Sequence, residues 1–154
     1  MGRCLVLRLI VQRVDNASVE VDGKITGQIE KGFMVLVGFG TTDTQREADY
    51  LASKLVKLRI FEDEEDRMNK SLLDTGYELL LVPQFTLYAS TKKNRPSFHR
   101  SLNPGDASKL FDYFVEKCRE YVHTESGVFG AHMNVSLVNN GPVTILLEKS
   151  YDIK

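Results

Sequence analysis

The chain has 154 residues and nearly balanced charge, 20 lysines and arginines against 21 aspartates and glutamates. Near-neutrality excludes a surface that grips polyanions everywhere, and 42% apolar with 27% charged residues excludes a disordered chain and fits one domain with a sizeable core. Cys4 and Cys118 stand alone, with no second cysteine or histidine at ligand spacing. Neither a zinc site nor a disulfide framework is indicated, the thiols read as buried or idle, and no metal or other cofactor is expected. The apolar run Leu5 to Val11 is broken by Arg8 and is too short to cross a bilayer or act as a secretory signal. A cytoplasmic protein with no membrane partner is expected.

In chain order, Val6 to Val14, Ser18 to Val21, Ile25 to Ile29 and Phe33 to Phe39 are apolar or alternating stretches, punctuated by Asp22-Gly23 and Lys31-Gly32. They predict an antiparallel meander. Thr44 with Glu47 forms a capping box, and Ala48, Leu51, Ala52, Leu55 and Leu58 make one apolar helical face. The five acids Glu62 to Asp66 read as a turn, and Tyr77 to Val82 as a buried strand ending at Pro83. Pro104 and Asp106 open a second helix with a stripe of Leu110, Phe111, Phe114, Val115 and Cys118. Two more strands, His132 to Val138 and Val143 to Leu147, complete the pattern. With no internal repeat or linker, residues 1–154 form a single domain of α+β class: antiparallel β-sheets with two α-helices packed against them.

Two segments stand out. Val82-Pro83-Gln84-Phe85-Thr86-Leu87 and Asn139-Asn140-Gly141-Pro142-Val143-Thr144 each put a proline where a strand should run or begin. Proline donates no ladder hydrogen bond, so backbone groups are left free at both points. Asn140-Gly141 resembles a two-residue hairpin turn, but Pro142 lacks the amide that would close it, so the connection is wider or differently closed. An ordinary Gly-Pro loop is the plain alternative. In strand geometry Gln84 and Thr86 point to one face and Phe85 to the other. Gln84 and Thr86 then line a pocket wall, or else belong to a solvated strand face and a cross-strand threonine pair. Thr86 is a candidate covalent nucleophile only if a distant residue supplies its base. Ser90 to Ser101 carries Lys92, Lys93, Arg95, His99 and Arg100 without an acid; it faces phosphates or is simply a solvated face.

Gln84-Phe85-Thr86-Leu87 and Asn140-Gly141-Pro142-Val143-Thr144, with Gln12-Arg13-Val14, Ala17-Ser18-Val19, Asn94-Arg95-Pro96-Ser97-Phe98 and Gly127-Val128-Phe129 followed by Met133, resemble the D-aminoacyl-tRNA deacylase (D-tyrosyl-tRNA deacylase) family over nearly the whole chain. The resemblance implies a barrel-like fold and a homodimer with its active site at the subunit interface. It implies hydrolysis of D-aminoacyl-tRNA, and of glycyl-tRNA, without a cofactor. Backbone amides around Phe85 and Thr86, beside Gln84, would hold the oxyanion while the substrate's ribose hydroxyl assists water. Gly141 and Pro142 would form a Gly-cisPro element that enters the partner's pocket and rejects L-residues, with Arg13 as its buttress. Phe129, Met133 and Pro83 would shape the substrate site, with plain core packing as the equal alternative for Phe129 and Met133, and Lys92, Lys93, Arg95 and Arg100 would meet tRNA. Pro83 departs from the family's usual serine and is similar to a sister group that removes mischarged L-amino acids. Residues before Leu9 extend beyond the family's usual start, and residues 1–4 are expected to form a disordered extension. A nucleic-acid-binding protein on the same fold, with weak or no catalysis, is the alternative from another class.

Overall fold

A computed structural model describes residues 7–149; the start of the first predicted strand and the predicted extension lie outside that range. The first two predicted strands are one continuous strand, β1 (Leu7–Val21). It turns at Asp22-Gly23, both with positive φ, into β2 (Lys24–Ile29), and β3 (Gly32–Gly38) follows. β1 is long enough to pair with β3 through its first half and with β2 through its second, both antiparallel.

The chain then crosses over through α1 (Gln45–Lys57), the small hairpin β4 (Phe61–Glu62) and β5 (Met68–Lys70), and the single turn α2 (Leu72–Thr75). The acidic run makes the hairpin's turn, with Asp63 Oδ1 accepting the amides of Glu65 and Arg67. The capping box of α1 forms as its sequence predicts, Thr44 accepting from Arg46 and Glu47 accepting from the Thr44 amide. After this crossover β6 (Glu78–Pro83) lies parallel to β3. A second crossover through α3 (Pro104–Arg119) lays β7 (Thr124–Ser126) parallel to β6.

The α+β class holds, but the sheet is mixed rather than antiparallel throughout. A helical crossover returns the chain in its original direction, which a tight hairpin cannot do. The unbroken apolar run Leu79 to Val82 suits a strand covered on both faces, as a parallel strand is.

One core fills the space between the sheet and the helices, where Leu7, Leu9, Val11, Phe33 and Val35 meet Leu51 and Leu55 of α1 and Phe111 and Phe114 of α3. A second lies on the opposite, concave face, built from Val14, Ala17, Val19, Ile29, Met34, Leu80 and Val82. The sheet curls over this inner core into a nearly closed barrel, because β2 reaches β7 at Gly27. A Cβ at Gly27 would lie 2.8 Å from the Ser126 carbonyl oxygen. Gly27→Ala is therefore expected to lower stability by about 1–2 kcal/mol through this backbone clash, measured as a shift of the urea midpoint.

The last two predicted strands are also one. β8 (Asn134–Lys149) runs antiparallel along the whole of β1. Between the pairs Gln12–Thr144 and Val14–Asn139, β1 contributes only Arg13, whereas β8 contributes Asn140, Gly141, Pro142 and Val143. The Gly-Pro segment is thus a wide bulge in one edge strand rather than a hairpin loop.

Candidate functional site

β6 ends where its sequence says it must. Pro83 cannot extend the ladder, and after the Gln84 amide donates to the Val37 carbonyl (2.8 Å) the chain coils into a 3-10 turn, Phe85–Tyr88. The expected strand alternation of Gln84, Phe85 and Thr86 is therefore incorrect. Glycine at position 38 permits the turn to fold back, since a Cβ there would sit 3.0 Å from Leu87 Cβ and 3.1 Å from the Gln84 carbonyl oxygen.

Two distant side chains hold the turn by its carbonyls, and its own Tyr88 anchors it to β3. Arg8 Nη1 donates to the Leu87 carbonyl (2.7 Å) and Ser101 Oγ to the Phe85 carbonyl (3.0 Å). The buried Tyr88 hydroxyl donates to the Gly38 carbonyl (3.3 Å). Arg8 is itself fixed by Glu148 at 3.0 Å and lies 5.1 Å from the centre of the Tyr88 ring. The first internal bond of the turn is Leu87 N–H to Gln84 O. The amides of Phe85 and Thr86 precede it and have no acceptor within the turn, as at any helical N-terminus.

Beside these amides opens a cavity of about 410 Å³, lined by Pro83, Gln84, Phe85, Phe98, Ser101 and Phe129 among others. Its walls are apolar and aromatic. Phe85 stands against Phe98 edge to face with centroids 4.9 Å apart, and Phe129 leans on Phe111. Phe85 is 55% exposed despite its size. Thr86 is not among the lining residues, and none of those is titratable, so the cavity wall offers no general base. Met133 lies below, in the inner core; a Cβ at Gly127 would touch Met133 Sδ at 2.7 Å and Pro83 Cδ at 3.5 Å. Lys92, Lys93, Arg95 and Arg100 are all exposed. Lys92, Lys93 and Arg95 lie on the segment closed by the Ser90–Ser97 bridge, and Arg100 follows it, between the pocket residues Phe98 and Ser101.

The bulge is a separate structure. Arg13, 5% exposed, donates to the Ile60 carbonyl (2.7 Å), to the Asn140 carbonyl (3.0 Å) and to Asn140 Oδ1 (3.3 Å), with Glu62 at 3.7 Å. Asn140 is held from its other end by Asp15 (2.8 Å), and the Thr144 hydroxyl bonds the Gln12 side chain. The Gly141–Pro142 peptide is cis, and Gly141 has φ +122°. A side chain at Gly141 would press on Arg13 Nη2 at 3.0 Å.

The two sequence segments do not meet within one chain. Pro83 aligns through Val37 with Leu9, four residues along β1 from Arg13, and three strand spacings separate β6 from β8. Strand geometry makes that separation on the order of 20 Å.

The sequence reading missed three residues. Arg8 registered only as a break in an apolar run, and Ser101 only as the end of the basic segment. Asp43, 8% exposed, accepts the Gly40 amide at 2.6 Å through Oδ2. Burial pushes its carboxyl up to about 7, with the Gly40 amide opposing and the charge of Glu47 adding to the rise.

The D-Tyr-tRNA(Tyr) deacylase family profile matches residues 10–148. The D-aminoacyl-tRNA deacylase of Thermosipho africanus is 53% identical over 144 residues, covering 92% of this chain and 97% of that protein. That of Kosmotoga olearia is 53% identical over 143 residues, with the same coverage of both chains. Among solved structures, the c-Myc DNA Unwinding Element Binding Protein superposes with a TM-score of 0.89 at 40% identity, covering 94% of this chain and 99% of that one. Fold, motifs and relatives converge on a hydrolase of aminoacyl-tRNA esters. The chain belongs to the D-Tyr-tRNA(Tyr) deacylase family.

Proposed function

We propose that the protein hydrolyses the ester of D-aminoacyl-tRNA in the cytoplasm and also clears glycyl-tRNA, with the chemistry at Gln84, Phe85 and Thr86. The observation that carries this reading is an apolar pocket without a titratable wall, opening beside two amides that have no acceptor within their turn. An aminoacyl ester is already activated, so positioning and an oxyanion hole suffice, each donor contributing about a hundredfold or more. The substrate's ribose hydroxyl assists the attacking water. The aromatic walls suit the terminal adenine of the tRNA.

Gly141 and Pro142 act on the pocket of a second copy, because their own chain's pocket is on the order of 20 Å away. A homodimer follows, joined through the exposed β8 edge, where Leu146 and Val138 are 57% and 48% exposed. Main-chain carbonyls then grip the substrate's amino group, with Arg13 as buttress and Phe129, Met133 and Pro83 shaping the site. Such atoms read the configuration of the α-carbon rather than the side chain, so several D-residues are accepted, L-residues are rejected, and glycine passes.

The test is single-turnover deacylation of D-tyrosyl-tRNA and L-tyrosyl-tRNA by the purified protein. Loss of the D-ester alone supports the reading, and cleavage of the L-ester points to the sister group. Retention of tRNA without cleavage supports the second reading, a nucleic-acid-binding protein. That reading draws on the likeness to the c-Myc DNA Unwinding Element Binding Protein, together with Pro83 ending β6 and the exposed basic segment. Replacing Lys92, Lys93 and Arg95 with alanine is expected to weaken tRNA binding and flatten the slope of log K against log salt by about 2, as phosphate contacts are lost. An unchanged slope removes the segment from the interface.

A further inference from the structure

Asp43 lies outside the pocket, yet its contacts lead to it. Its Oδ2 accepts the Gly40 amide at 2.6 Å while its own amide donates to the Gly40 carbonyl at 3.1 Å, so the two residues close a turn on each other. Gly40 in turn bridges Ser101. On either side, the Thr41 amide donates to the Arg100 carbonyl (3.2 Å) and the Leu102 amide to the Phe39 carbonyl (3.0 Å). This short ladder fixes the backbone of Ser101, whose hydroxyl holds the Phe85 carbonyl. Hydrogen bonds joined by single backbone steps therefore link a buried carboxyl to the turn beside the pocket.

Simple turn closure does not explain why the acceptor is an ionisable group. Among the described residues Asp43 Oδ1 meets no partner at hydrogen-bond geometry, although the Leu7 amide is near enough to favour the charged form, and a carboxylate oxygen so thinly partnered in the interior opposes folding. What the carboxyl adds at Oδ2 is a 2.6 Å bond, charge-assisted when the group is ionised and then stiffer than a neutral acceptor makes. Stiffness is valuable where donors must be aimed within fractions of an ångström.

We propose that Asp43 is a positioning residue for ester hydrolysis, holding the Phe85–Tyr88 turn in register through Gly40 and Ser101. The inference rests on the function proposed above, so the experiment begins with wild-type cleavage of D-tyrosyl-tRNA. A wild type without that activity overturns the functional reading, and the inference falls with it. Given an active wild type, Asp43→Asn and Ser101→Ala are compared singly and together in single-turnover kinetics with saturating protein. Each single variant is expected to lose about tenfold in rate, with KM for the aminoacyl-tRNA within twofold of wild type. The double variant is expected to be no slower than the slower single one, because both cut the same path. A merely structural aspartate moves neither the split between rate and KM nor the coupling. Single variants that keep the wild-type rate, or losses that multiply in the double variant, overturn the proposal. If Asp43→Asn does not fold, Ser101→Ala decides: a normal rate there breaks the path and overturns it.

Discussion

Arg13→Met is expected to unfold with about 3 kcal/mol less stability than the wild type and to cleave D-tyrosyl-tRNA at least ~100-fold more slowly. Methionine preserves much of the buried stem, so the packing loss is small. What disappears is the fork of donors that ties Ile60 of the main body to Asn140 of the bulge. Two carbonyls are then left short of a donor at a site where Arg13 itself is only 5% exposed, each a loss of about 1–3 kcal/mol. Arg13→Lys recovers the charge but not the fork, because an ammonium is a point donor that cannot hold Ile60 and both oxygens of Asn140 at once. Urea unfolding and single-turnover deacylation measure the two effects separately. A variant that loses the stability but keeps the rate separates the bulge from the active site and removes the proposed role of Gly141 and Pro142.

Much of this frame is legible in the sequence because it is set by local chemistry. Asp22-Gly23 marks its turn, Thr44 and Glu47 start their helix, and Leu110, Phe111 and Phe114 bury the face that their spacing implies. Pro142 alone rules out a simple hairpin. What it cannot reveal is that the strands on either side continue as one, because that depends on β1 supplying a single residue, Arg13, opposite the bulge. The parallel pairing of β6 was equally hidden: Leu79 to Val82 reads as buried, but its direction is set by the crossover through α1. The supports of the Phe85–Tyr88 turn have no local signature at all. Arg8 reaches Leu87 across 79 positions, and Tyr88 reaches Gly38 across 50. Such contacts are created by the fold, so a site built from carbonyls held by distant side chains shows in sequence only as the proline that ends the strand.

The stability of the wild type is expected to fall as pH rises from about 4 to about 7 relative to Asp43→Asn, and the gap reaches about 4 kcal/mol when the shift is taken at full value. The sign follows from the protons bound. Asp43 loses its proton near 3.8 in the unfolded chain but near 7 in the folded one. Between those values the folded state holds a proton that the unfolded state has released, so raising the pH favours unfolding. Above about 7 both states are ionised and the difference is constant. The groups around Asp43 shape this window. Glu47 on α1 adds negative charge, Tyr88 on the turn is pushed up by burial and by Asp43 itself, and Arg8 beyond the Tyr88 ring opposes both. Asp106 and Lys109 of α3 line the neighbouring groove with Asp43. Urea unfolding of both proteins at pH 4, 6 and 8 gives the comparison directly, since every other carboxylate titrates in both and cancels. Parallel pH profiles remove the buried charge from Asp43. A divergence, with a variant that gains relative stability at high pH yet cleaves more slowly, is the mark of a carboxylate whose position serves the site at the expense of the fold.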